Sequence, residues 1–448
     1  MLKSFSSRPL ASILILALPV LSLPMSALAN EPEDEIIVTG SPLVRSVDEA
    51  ITGVSVLSGD ELADRLAGTI GETLKSEPGV SSTFFGAGAS RPIIRGQGGD
   101  RVRVLTNGIG SIDASSASPD HAVAAEPAQA ERIEVLRGAS LLRYGSSGSG
   151  GIVNVMDGRI PTEMPDGVDG AVRIGASSVD AGREAAGSVD VGLGQNFVVH
   201  LDGTWRESDN YNIPGEAESA IFHALEHEEE HDDDHDDDHD DDHDDEGEHE
   251  EEVPDTGDLE NSFAKSRSLT GGVSYIGERG FFGVSLHRFE SDYGIPGGHA
   301  HGEEHEEDHD DDHDDDDDHD DDHDDHDHEE GEEESVTIGL EQTRLDINGA
   351  VDLDGFFQRV QLFAGIADYT HTEFEGPGVV GTVFSNEGYE TRLEAIQREQ
   401  NGWSAAYGVQ LRRRKFSAIG EEAFVPPATT QQLGAYMFHE VEMGNVHL

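Results

Sequence analysis

From residue 162 onward, apolar and polar positions alternate along the chain in segments of about ten residues. Val189, Val191 and Leu193 alternate with Asp190 and Gly192. Phe197, Val199, Leu201 and Trp205 alternate with His200, Asp202, Thr204 and Arg206. Trp403, Ala405, Tyr407, Val409 and Leu411 alternate with Ser404, Ala406, Gly408, Gln410 and Arg412. A strand turns successive side chains to opposite faces, so each segment predicts a strand with two unlike faces. The polar face carries charges, which predicts a wet interior. A large antiparallel transmembrane barrel, with lipid outside and water inside, fits this better than a packed sandwich.

The connections point the same way. Tight ones are expected at 194–196, 277–280, 352–355 and 400–402, and long ones at 209–262, 293–335, 373–386 and 416–431. Short and long alternate, as they do in barrels with short periplasmic turns and long outer loops. About ten strands are expected between Val168 and Met443, with an eleventh from Val446. A barrel wide enough to enclose a folded domain needs about 22 strands, so only about the first half of one is expected here.

Residues 47–161 have a different texture. Short β-prone runs, such as Val102-Arg103-Val104-Leu105 and Ile133-Glu134-Val135-Leu136, are separated by Gly-rich turns. Leu62, Leu66, Ile70 and Leu74 recur at helical spacing, which predicts a helix over 62–77. The fold class expected is therefore mainly β, with an N-terminal α/β domain ahead of barrel strands.

Ahead of it, Lys3 and Arg8, an apolar run over 13–23 and Ala27-Leu28-Ala29 predict a secretory signal peptide over 1–29. Pro19 and Pro24 interrupt the run, which argues against a membrane anchor. An acidic segment over 30–46 follows and contains the β-prone residues Glu35, Ile36, Ile37, Val38, Thr39 and Gly40. Such a segment suits pairing with the sheet edge of another protein.

Charge adds the next feature. The formal net charge is −66, but two His/Asp/Glu tracts, 223–252 and 299–334, hold about 44 of the 94 acidic residues and no Lys or Arg. The rest of the chain carries roughly −22. Such dense like charge cannot collapse into a core, so the tracts are expected to be disordered without metal. Both lie in expected outer loops, at 216–262 and 297–335, after similar runs ending in Ile213-Pro214-Gly215 and Ile295-Pro296-Gly297.

The acidity argues against a nucleic-acid partner. There is no cysteine, which excludes disulfides, thiolate metal sites and Cys nucleophiles and fits export. In the first tract His231, His235, His239 and His243 are each separated by three Asp. In a helix such imidazoles share a face and chelate one ion, although Asp repulsion disfavours that helix without metal. His299, His301, His305, His309 and His313 open the second tract. Repeated imidazole favours Zn²⁺, Ni²⁺, Cu²⁺ or Co²⁺ over Ca²⁺ or Mg²⁺. The reading is a low-affinity sponge that concentrates cations, against the plainer one of a solvating acidic loop. The His-Glu-x-x-His spacing occurs only within the two tracts, at 227–231 and 305–309, and no nucleophile elbow or phosphate loop occurs, so nothing points to an enzyme.

Several short motifs resemble, in order, those of the TonB-dependent outer-membrane receptor family. Residues 35–40 resemble the TonB box. Glu77-Pro78-Gly79-Val80, Ile94-Arg95-Gly96, Asn107-Gly108, Ile133 through Gly138, Tyr144-Gly145 and Gly150 through Val155 resemble the plug domain. Within that family the chain looks most like the ZnuD-type zinc receptors, on Ser118-Pro119-Asp120-His121-Ala122 together with the His-rich loops.

The resemblance implies a plug inside a barrel in the outer membrane of a Gram-negative bacterium. It implies a monomer in lipid, energised by TonB and its inner-membrane complex, with Zn²⁺ as transported ligand and no organic cofactor. It carries a zinc-ligand role to Asp120 and His121 and implies partner ligands from the barrel. His371, Glu373 and Glu375 are the candidates, where a strand leaves the barrel on the outer side. Zinc is commonly four-coordinate, with His nitrogen and carboxylate oxygen where Cys is absent. Two other readings stand beside this one: a receptor for a metal chelate such as a siderophore or haem, and a surface protein that sequesters cations without transport.

Overall fold

The computed structural model describes residues 39–43, 53–217, 256–299, 335–420, 423–443 and 446–447. The expected signal peptide, residues 35–38, the first tract and the second tract beyond His299 lie outside the described residues.

The N-terminal part forms a five-stranded sheet and a small hairpin. Its strands are β1 (Val54–Ser58), β2 (Val80–Ser82), β3 (Pro92–Ile94), β4 (Val102–Thr106), β5 (Ile109–Gly110), β6 (Arg132–Leu136) and β7 (Gly151–Met156). The sheet order is β1-β6-β7-β4-β5, with β4 and β7 parallel; β2 and β3 pair separately. Leu57, Leu62, Ile70, Leu74, Ile94, Ile133 and Val153 form its buried core.

The single helix expected over 62–77 is two short ones, α1 (Gly59–Arg65) and α2 (Ile70–Leu74). The chain leaves helical geometry at Leu66, at φ −56 and ψ 128. Thr69 then caps α2, its hydroxyl accepting from the Glu72 N–H at 3.5 Å. Ser or Thr followed three residues later by Glu is a start signal inside an otherwise helical period. Leu62, Ile70 and Leu74 still reach the core, and Leu66 packs against it, so the apolar face survives the break.

The remaining strands are β8 (Val168–Ala176), β9 (Arg183–Leu193), β10 (Phe197–Ser208), β11 (Tyr211–Glu216), β12 (Thr256–Leu259), β13 (Ala264–Gly277), β14 (Gly280–His299), β15 (Ser335–Asp352), β16 (Phe357–Gly376), β17 (Val379–Gln397), β18 (Trp403–Gly420), β19 (Ala428–Met443) and β20 (Val446–His447). Eleven of them form one antiparallel meander from β8 to β20, with β11 and β12 paired to each other as a separate extension of the connection between β10 and β13. The alternation read from the sequence sets which side faces the plug. On β10, Val198, His200, Asp202 and Thr204 are buried inward, while Phe197, Leu201 and Trp205 are exposed outward. Leu269, Leu286, Ile366, Leu393, Val409 and Leu411 continue the exposed apolar surface across the sheet, as expected of a lipid-facing band.

The tight turns fall where the glycines and asparagines predicted them. Asn401 and Gly402 take the left-handed region at φ 56 and φ 76, the geometry such a reversal needs. One expected long connection does not exist. Between β16 and β17 only Pro377 and Gly378 turn the chain, and the ladder continues through Phe374↔Val380 and Gly376↔Val379. Val379, Val380 and Val383 favour extended backbone, and Gly378, at φ 84, makes the tight turn possible. The hairpin therefore rises where a loop mouth was expected.

Inward polar residues of the barrel hold the plug. Arg103 pairs with Glu390, Arg143 with Glu394, and Arg159 Nη1 lies 3.2 Å from Asp346 Oδ2. Buried pairs of this kind fix position more surely than they add net stability.

Candidate metal centre

One plug loop and four barrel strands converge above the sheet. The loop, residues 111–126, leaves β5 and is pinned from both sides. Gln342 Nε2 on β15 donates to the carbonyls of Ser111 (3.0 Å) and Ile112 (3.1 Å), and Asn386 Nδ2 on β17 donates to that of Asp113 (2.6 Å). Within the loop, Asp113 accepts from the Ser115 N–H and from the Ala124 N–H, both at 3.1 Å, which draws the two ends of the turn together. Tyr293 on β14 closes it, accepting from the Ala122 N–H at 2.9 Å and donating to the Asp120 carbonyl at 3.1 Å. Gly88 lets the Tyr293 ring in, since a Cβ there would fall 2.3 Å from it.

This frame places His121 against β16, whose period of two turns Tyr369, His371 and Glu373 inward together. His121 Nε2 lies 2.9 Å from Glu373 Oε1, and His371 Nε2 lies 3.4 Å from the same oxygen. One donor atom from each of the three residues lies within 4.8 Å of the others, and their exposures are 1%, 0% and 4%. The two imidazoles meet edge to face at 4.2 Å between centroids. Phe384 on β17 packs on both, at 4.7 Å and 4.6 Å.

The far nitrogens are also engaged. His121 Nδ1 is 3.1 Å from the Ala114 carbonyl and His371 Nδ1 is 2.9 Å from the Tyr369 hydroxyl. When each Nδ1–H donates outward, both Nε2 lone pairs face the Glu373 oxygen, the arrangement that metal-ligating histidines require. Burial would lower the pKa of His121, but the Glu373 carboxylate, Asp120 and the Ala114 carbonyl outweigh it and hold the imidazole above its ordinary value. Two nitrogens and one carboxylate oxygen suit a divalent transition metal and leave a fourth position.

Of the other expected ligands, Asp120 stands beside the cluster but outside the group of three. It is half-buried, and its carboxylate accepts from the Ser118 hydroxyl. Glu375 turns towards Gly381 on the neighbouring strand, where a Cβ would fall 2.1 Å from its Oε1. His299 ends β14, its backbone paired with Ser335, and its side chain is outside the described residues. His231, His235, His239, His243, His301, His305, His309 and His313 also lie outside them. Sequence reasoning missed Tyr293, Tyr369 and Phe384. Tyr369 carried a signal, standing two residues before His371 on the same strand face.

Of the TonB-box-like segment, Thr39 and Gly40 are described. The Thr39 N–H donates to Glu134 at 3.0 Å, and its carbonyl accepts from Arg143 (2.6 Å) and the Tyr144 hydroxyl (2.9 Å). Thr39 also borders a cavity of about 470 Å³, lined by Asn107, Glu131, Arg143, Asp190 and Arg392 among others. That cavity lies at the tight-turn end of the sheet, and none of the three cluster residues lines it.

Comparison with known proteins agrees with this architecture. Residues 46–152 match the TonB-dependent Receptor Plug Domain. A Vitamin B12 transporter BtuB of Vibrio vulnificus is 29% identical over 207 residues, 45% of this chain and 33% of that protein. A Hemin receptor of Yersinia pestis is 26% identical over 197 residues, 41% of this chain and 28% of that protein. Among solved structures, the Copper transporter OprC aligns with a TM-score of 0.60 at 13% identity, covering 87% of this chain and 52% of that one. The siderophore receptor PirA from Pseudomonas aeruginosa aligns at 0.54 and 15% identity, covering 87% and 53%. The chain spans about a third of the length of these curated relatives. It is an outer-membrane β-barrel protein that carries a plug domain. The plug match and the receptor relatives support the TonB-dependent receptor family.

Proposed function

We propose that this protein is a TonB-dependent receptor that imports zinc, or a similar divalent transition metal, into the periplasm. The observation that carries the reading is the buried meeting of His121, His371 and Glu373 within 4.8 Å, one ligand from the plug and two from the barrel. Both imidazoles are oriented by a second hydrogen bond, and the spacing is that of a bare ion.

The acidic tracts raise the local cation concentration through their field. The cluster then holds the ion, with Asp120 adjacent as a fourth donor. Because one ligand belongs to the plug and two to the barrel, moving the plug loop dismantles the site. TonB, pairing with residues 35–40, supplies that movement through Thr39 and its bonds to Glu134, Arg143 and Tyr144.

The test is uptake by cells with and without the gene at limiting Zn²⁺, Ni²⁺, Cu²⁺ and Co²⁺, with the Asp120→Ala/His121→Ala double variant alongside. Metal-dependent uptake that the double variant loses supports the reading. Uptake of haem or a ferric siderophore instead, unaffected by the double variant, favours a chelate receptor. Surface binding without uptake favours a sequestering protein.

A further inference from the structure

Lower on the inner wall of β17 and β18, a cavity of about 60 Å³ is lined by Arg91, Arg103, Arg412, Arg414, Ser115 and Ser147, among others. We propose that it is an anion-binding pocket that takes one small oxyanion group, a carboxylate or a phosphate.

The argument rests on which charges already have partners. Arg103 is bonded to Glu390 and to the Tyr144 carbonyl, and the other Glu390 oxygen accepts from Gln410 Nε2 at 2.6 Å. The carboxylate of Asp113 is turned to its own loop, holding the amides of Ser115 and Ala124. Asp100 is exposed, where water screens it.

Three guanidiniums remain. Arg91 is 9% exposed, and among the described residues its guanidinium makes no hydrogen bond or ion pair. Burial pushes its pKa below the ordinary value, with Asp113 and Asp100 only partly offsetting this. Arg412, opposite Glu390 in the ladder, is half-buried and likewise bonds no carboxylate among the described residues. Arg414 lies over the Phe416 ring at 5.2 Å and donates from Nη2 to the Asp113 carbonyl at 3.5 Å, but it pairs with no carboxylate among the described residues and its Nε is buried without a partner.

An arginine stays charged in a protein, and its planar fork matches the geometry of carboxylate and phosphate. Under-neutralised guanidiniums beside a cavity with serine hydroxyls therefore select an oxyanion over a cation. The volume equals that of roughly four waters, enough for one such group. This selectivity is opposite to that of the His121 cluster, so the pocket is not part of it and does not depend on the cargo proposed above.

The test is calorimetric titration of inorganic phosphate, and separately of citrate, into the detergent-purified protein in chloride buffer without added metal. Wild-type protein is expected to bind at least one of them, and Arg412→Gln to weaken binding tenfold or more. Binding of phosphate assigns a free oxyanion, and binding of citrate alone assigns the carboxylate of a larger molecule. Arg412→Lys, which keeps the charge and bulk, should retain more affinity than Arg412→Gln and so separates lost binding from lost folding. No binding of either anion to the wild type, or equal affinity in Arg412→Gln, overturns the proposal.

Discussion

His121 on the plug and Glu373 on the barrel meet at 2.9 Å, Nε2 to Oε1, through a contact that spans 252 residues of sequence. Nothing local in the chain brings them together. The loop that carries His121 is positioned by barrel groups, Gln342, Asn386 and Tyr293, so the site exists only when plug and wall are assembled.

Glu373→Gln tests the charge in that contact. The amide keeps the shape and a hydrogen-bonding group, so the fold should persist, whereas Glu373→Ala would leave buried polar groups unpaired. Zn²⁺ affinity of the purified protein, measured by calorimetry, should fall by more than the roughly 10- to 100-fold expected for loss of an outer-shell partner. Unchanged affinity would remove Glu373 from the ligand set.

Tyr369→Phe asks whether the His371 ring is oriented for metal. The hydroxyl lies 2.9 Å from Nδ1, and that nitrogen has no other hydrogen-bond partner among the described residues. Affinity for Zn²⁺ should drop about 10- to 100-fold while the β-sheet circular dichroism is unchanged. An affinity equal to wild type would mean that packing on Phe384 alone sets the ring.

Tyr293→Phe separates loop order from ligation. The change removes one hydroxyl and leaves the buried Ala122 N–H without its acceptor, a cost of about 1–3 kcal/mol. The thermal unfolding midpoint should fall, and metal should restore part of the loss because it ties the loop to β16. A midpoint equal to wild type would show that the loop is held by Asp113, Gln342 and Asn386 without help from Tyr293.

How much of this was legible in the chain depended on period. Strands with two unlike faces announce themselves, and so do turns such as Asn401-Gly402, because burial and positive φ constrain individual residues. The period of two also put His371 and Glu373 on one face. It could not tell that Glu375 would turn to Gly381, or that Asp120 would be drawn to Ser118, since both depend on close-range packing. The helix over 62–77 failed because apolar spacing continued through a cap, and spacing does not register where the backbone leaves αR. The loop expected at 373–386 failed because polarity near a barrel rim resembles a loop while the valines keep the ladder going. Tyr293 and Phe384 were hidden because their partners come from distant segments.

Deleting residues 35–40 should separate capture from transport. Thr39 is bonded to Glu134, Arg143 and Tyr144, but the three cluster residues do not touch it. Zn²⁺ binding to the purified variant should stay within about twofold of wild type, while uptake by cells at limiting metal stops. Persistent uptake in the deletion would show that this segment does not drive import.

The tracts make a separate claim, that imidazole and not carboxylate decides what they hold. His231, His235, His239 and His243 alternate with Asp triplets, so both donor types are abundant and only selectivity distinguishes them. A peptide of residues 224–252 should bind Zn²⁺ and become more compact as the ion offsets its like charge, with a weaker response to Mg²⁺, which prefers oxygen ligands and keeps its waters. Imidazole has an unperturbed pKa of about 6.5. Protons therefore compete little at pH 7.5, and most of the imidazoles are lost as ligands by pH 5. Zinc affinity should fall across that interval while Mg²⁺ binding changes little, since carboxylates stay ionised above about pH 4. Calorimetry and circular dichroism at the two pH values decide it. Equal, pH-insensitive responses to both ions would assign the binding to the carboxylates and make the histidines incidental.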